Sequence, residues 1–217
     1  MTRNNYRIQI DGEWSLDNLY EFPRTYSQLY SFLYVLELAS PDLEDETEEY
    51  LFDSRIESAF RSHPWRGGFS AVNFYQQLGY IVPNQDRPKI KSIRYDSPGW
   101  LELTLVVAIA SNIERLVAAF SKSGKHLNSL YRDIYKGLHD RRLMRIKVKR
   151  QEIVLKREQL RFVEESAKSL SRGLGFKNLD ELNMLTKNPL GTLKILLSLY
   201  RRLRTLAKYE SKGKADL

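Results

Sequence analysis

A chain of 217 residues with a formal charge of +8 has room for one sizeable domain with an extension, or for two small domains. Its hydrophobic fraction of 42% and charged fraction of 29% are those of a chain that folds in water. With no cysteine, the chain holds no disulfide, no thiolate metal site and no cysteine nucleophile.

The charge is unevenly placed. Residues 1–100 carry 10 Lys/Arg against 15 Asp/Glu, and residues 101–217 carry 25 against 12. Such polarity suits a basic tail that faces nucleic acid or acidic lipid, or an acidic head and a basic tail that bind each other. The opening MTRNNYRIQI has no apolar h-region, and the longest apolar run, Leu103 to Ala110, is too short to span a bilayer. A cytoplasmic protein without an integral membrane segment is therefore expected.

Along the chain, Tyr6, Ile8 and Ile10 alternate with polar residues and predict a short strand that turns at Asp11-Gly12. Ser15 fits an N-cap for a helix bearing Leu16, Leu19, Tyr20 and Phe22. Pro23 either kinks that helix or opens a second, with Tyr26, Leu29, Tyr30, Leu33 and Leu36 on its face. A third helix is expected from about Leu43 to Arg61, its acids crowding the first turns where the helix dipole favours them. The stretch around Gly67-Gly68 reads as a loop, and a short helix over 71–78 is stopped by Gly79. Lys89 to Tyr95 predicts a second strand. Ser97-Pro98 then suits the cap and first position of a helix running to Phe120. The alternative is a hairpin of Lys89–Tyr95 with Trp100–Val106. Ser121 to Gly124 reads as a break, followed by a helix of about 125–173, a short helix over 179–185 and an amphipathic helix over about 189–208.

The fold class that results is α+β and mostly helical. A small α+β head over residues 1–120 precedes a basic helical tail over 121–217. The long helix carries Ile146, Ile153, Leu160, Ala167 and Leu174 at intervals of seven, a coiled-coil-like spacing. Its C-terminal part, Leu160, Val163, Ala167, Leu170 and Leu174, has no basic residue in register and is the expected seam of self-association. One local surface could cover it instead, the Leu193–Leu203 face of the last helix.

Chemistry is sparse. His63, His126 and His139 have no HxxxH or HExxH spacing, and there is no phosphate loop or GxSxG elbow, so neither metal nor cofactor is expected. Arg141, Arg142, Arg145, Lys147, Lys149, Arg150, Lys156, Arg157 and Arg161 could meet phosphates along an extended rod, without reading bases. Arg132 and His139 stand seven apart, on nearly one helical face. This pair resembles the RxxxxxxH motif of the HEPN ribonucleases, an all-helical family. The resemblance implies acid–base work on the ribose phosphate for His139 and charge stabilisation for Arg132.

The leading expectation is a non-catalytic adaptor or regulatory subunit that oligomerises or docks a protein partner through its long helix. A sequence-independent nucleic-acid-binding accessory protein is the first alternative, and a HEPN-like ribonuclease the second.

Overall fold

The computed structural model describes residues 3–39, 46–61, 63, 65, 70–145 and 155–217, with backbone only for 46–53 and 145. The fold is α+β and mostly helical. Strand β1 (Arg3–Ile10) is followed by helices α1 (Leu16–Leu38), α2 (Glu46–Arg61) and α3 (Ser70–Ile81). Strands β2 (Lys89–Arg94) and β3 (Gly99–Val106) lead into α4 (Val107–Asp140), then α5 (Arg157–Leu174), α6 (Leu179–Thr186), α7 (Pro189–Ser211) and a two-residue β4 (Ala215–Asp216). The sheet is antiparallel in the order β2-β3-β1-β4.

Ser15 caps α1 as expected, accepting from the Asn18 backbone N–H at 3.2 Å, and the helix continues through Pro23 to Leu38. After residue 95 the chain departs from the preferred expectation. The Ser97-Pro98 bond is cis and turns the chain into β3, so the hairpin alternative is the one adopted. The reason lies in pairing. All eight residues of β3 pair with β1, and Leu101, Leu103 and Leu105 alternate inward with Tyr6 and Ile8 opposite. Continuous apolar runs such as Leu103 to Ala110 suit a buried strand and a buried helix equally.

The break expected at Ser121 to Gly124 is absent. Helix α4 runs through it, because Phe120 and Leu127 on either side are both buried and hold the helix in place. A helical glycine costs about 1 kcal/mol relative to alanine, which two buried side chains outweigh. The long helix ends at Asp140 instead, where Arg142 takes a left-handed φ of 57° and a 3-10 turn follows over Leu143–Arg145. The single helix of about 125–173 is therefore two helices packed side by side. Their ends are tied where Gln159 Nε2 donates to the Arg141 carbonyl at 3.4 Å. Gly137 makes the approach possible: a Cβ there would stand 2.3 Å from Phe162 Cζ.

Helix α7 is the axis of the molecule. Every residue from Leu190 to Tyr200 is buried, as in a helix surrounded by packing on all sides. It packs against α1, α4 and α5. One contiguous apolar core runs from Ile8 to Ala215, and the boundary expected at residue 120 falls inside α4. The C-terminal residues turn at Gly213 and pair with Gln9 and Ile10. No helix among the described residues is long and apolar enough to cross a membrane.

Candidate functional site

Val163, Ala167, Leu170 and Leu174 are buried and Leu160 is partly so. Their cover is α7 and α4 of the same chain, the alternative that the Leu193–Leu203 face offered. The stripe is thus a piece of the core. Four large apolar side chains at this spacing required a lid, and the final helix supplies it in cis.

The polar surface above that core is where residues with chemistry meet. Past Tyr200, α7 emerges from the core and exposes Arg201, Arg204 and Lys208 on one face. Where it crosses α4, a cleft of about 380 Å³ is lined by Asn128, Tyr131 and Arg132 from α4 and by Tyr200 and Arg204 from α7. Tyr200 is held at its base. Its ring stacks on Tyr131, with centroids 4.2 Å apart and an interplanar angle of 13°, and its hydroxyl donates to Asn128 Oδ1. Tyr131 in turn stacks on Tyr135 at 6.0 Å, and Tyr135 is 45% exposed.

Arg132 and Arg204 are exposed, and neither they nor Arg201 form an ion pair among the described residues. Burial pushes the Tyr200 hydroxyl above its ordinary pKa, while the guanidiniums of Arg204 and Arg132 pull it down. Two cations from different helices therefore act on one point. Arginine presents a rigid fork of donors whose geometry matches phosphate or carboxylate oxygens. Arg202 does other work. It is buried, lies 3.5 Å over the Tyr75 ring, and donates to Gln28 Oε1 and the Ser198 carbonyl.

The other expected phosphate partners divide into three groups. Arg141, Arg142, Lys156, Arg157 and Arg161 are exposed around the junction of α4 and α5, with Arg161 paired to Glu165 and Arg141 lying over Phe162. The backbone of Arg145 closes the 3-10 turn. Lys147, Lys149 and Arg150, with Ile146 and Ile153, lie outside the described residues, as do the loop glycines Gly67 and Gly68.

His139 is highly exposed two turns beyond Arg132, outside the cleft, with Nδ1 3.7 Å from Asp140 Oδ1. The all-helical fold implied by the RxxxxxxH resemblance is not the one adopted, since a four-stranded sheet forms part of the core. Among the described residues no cluster of His, Asp and Glu could hold a metal ion. His63 is buried beside Trp65 and Phe74 and donates from Nε2 to the Ser70 carbonyl at 2.6 Å; burial lowers its pKa.

Sequence reasoning isolated Arg132 but missed its partners. Arg204 was visible as part of the basic face of the last helix, and Tyr131 as an aromatic one residue before it. Nothing in the linear pattern joins α4 to α7 at that height. No family model matches this chain, and no curated protein or solved structure is significantly similar to it.

Proposed function

We propose that the protein is a non-catalytic, nucleic-acid-binding accessory protein of the cytoplasm, holding a phosphodiester backbone across α4 and α7. The convergence of Arg132 and Arg204, both without ion-pair partners among the described residues, on a tyrosine-floored cleft carries this reading. Arg201 and Lys208 continue the cationic face along α7, and Arg141, Arg142, Lys156 and Arg157 continue it at the far end of α4. Tyr135 is the exposed end of the stack and offers a ring for a base, which is sequence-tolerant recognition.

The assembly reading through the long helix loses its basis, because the apolar stripe that would have formed the seam is spent on α7. What remains exposed around α4 and α5 is mostly charged, and charged surface fits phosphate better than it fits a stable protein seam.

Fluorescence anisotropy with a labelled oligonucleotide, single- and double-stranded, tests the proposal. Affinity falls steeply between about 50 and 200 mM salt, and exchanging the sequence changes little. Arg132→Gln and Arg204→Gln each lower the slope of log affinity against log salt by about one. Wild-type binding in both variants defeats the proposal. RNA cleavage by the wild type that vanishes in His139→Ala would replace it with the ribonuclease reading.

A further inference from the structure

The sheet has an open end. Strand β2 pairs only with β3 among the described residues, and all six of its residues are exposed. A strand in that position presents a row of backbone N–H and C=O groups to any extended chain that reaches it. Its register makes the two faces of that edge chemically different. A bulge between Ile90 and Ser92 brings both Ile90, opposite Leu103, and Ile93, opposite Leu101, onto the inner face. Ile90 and Ile93 are 53% and 51% exposed there. Ile90 borders a groove of about 360 Å³ between α1 and the sheet, lined by Leu19, Tyr20, Pro23, Leu101 and Leu103 among others.

The outer face is cationic. Lys89 and Arg94 lie opposite Thr104 and Trp100, and the bulge adds Lys91. Arg7 and Arg94 both stack over Trp100, at 5.2 and 4.7 Å. The acids nearby are already engaged. Glu102 is held by Arg7 at 3.5 Å, Lys91 at 3.8 Å and the Ser92 hydroxyl at 3.0 Å, and Asp96 by Arg94 at 2.7 Å. Lys89 forms no ion pair among the described residues.

We propose that β2 is a docking edge for an extended segment of a partner protein whose side chains alternate between apolar and acidic. Added as a fifth strand, such a segment places every second side chain over Ile90, Ile93 and the groove beside Ile90, and the others against Lys89, Lys91 and Arg94. Alternation follows from the period of a strand, and acidity from the charge of the outer face. A second copy of this chain is a poor occupant. Antiparallel self-pairing about the middle of β2 sets Lys89 against Arg94, and like charges directly opposite destabilise a pair. Lysine on an edge strand is a common guard against such pairing. This edge shares no residue with the anion cleft, and the two proposals stand or fall separately.

The test uses the whole chain and a labelled peptide of alternating valine and glutamate, with a valine–lysine peptide as control. Saturable binding of the acidic peptide alone is expected. Ile90→Asp with Ile93→Asp weakens it by about tenfold or more. Lys89→Glu with Lys91→Glu transfers the preference to the lysine peptide; these exposed changes keep the test decisive if the isoleucine variant fails to fold. Three results overturn the proposal. These are equal binding of both peptides, no saturable binding of the acidic one, or a β2-dependent dimer that excludes it.

Discussion

Helix α5 and strand β2 each carry an apolar face that its own element cannot cover, yet the chain treats them oppositely. The α5 stripe is sealed by α7, with Val163, Leu170 and Leu174 fully buried, whereas Ile90 and Ile93 stay about half exposed, Ile90 beside an open groove. A helix satisfies its own backbone and needs only side-chain cover, which one crossing helix provides. An edge strand needs a neighbour for its backbone as well, and no described element supplies it. Hydrophobic period therefore says that a face wants cover, but the backbone's remaining hydrogen bonds say whether the chain has finished providing it.

The largest test of the contrast is a matched pair of charges. Leu170→Asp puts a carboxylate into a site with no solvent access and should abolish folding, since even Leu170→Ala costs about 2–5 kcal/mol. Ile93→Asp, on the open edge, should change urea-unfolding stability by less than about 1 kcal/mol. Similar losses at both positions would mean that the edge is covered. Next in size is Gly137→Ala. The new methyl group meets the Phe162 ring, and an overpacked contact of this kind costs about 1–3 kcal/mol. Combining it with Phe162→Leu should recover part of that loss in a double-mutant cycle, because the two positions touch.

A third consequence concerns association. With its stripe buried, the protein should remain a monomer in light scattering on a sizing column at tens of micromolar, at low and high salt alike. A salt-sensitive dimer would show that the exposed surface supplies a seam that α5 does not.

Much of the fold is legible in the sequence wherever a signal is local. The Ser15 cap, the β1 alternation, the short α6 and the start of α7 at Asn188-Pro189 all follow from side chains within a few residues of one another. Two features do not. Trp100–Val106 became a strand because β1, nearly a hundred residues earlier, pairs with it along its whole length. The break in the long helix moved from Gly124 to Arg142 because Phe120 and Leu127 anchor the helix on both sides of the glycine. The candidate site between α4 and α7 is half legible. Arg132 drew notice through its spacing from His139, but its actual companion, Arg204, comes from a helix 72 positions away by subtraction of the residue numbers.

The last effect lies on the covered side of α7 and is read through pH. Lys194 is buried near the Trp65 carbonyl, 3.5 Å from its Nζ, and burial lowers its pKa from 10.5 to about 8. Between about pH 8 and 10.5 the unfolded chain then holds more protons than the folded one, so Lys194 contributes stability that rises with pH across that window. Tyr6 and Tyr30 oppose it from about pH 10 upward. Burial pushes both to about 12, so the unfolded state loses their protons first and stability falls. His63 acts at the other end. Its lowered pKa means that the unfolded state gains a proton first as pH falls through about 6.5, and stability drops there. Lys194→Met isolates the first of these windows. The variant should melt above the wild type at neutral pH, where the wild-type amine is charged and buried, and the gap should narrow between about pH 8 and 10. A gap that stays constant across that range would mean that the amine reaches solvent, and that the cover over this part of α7 is looser than the cover over α5.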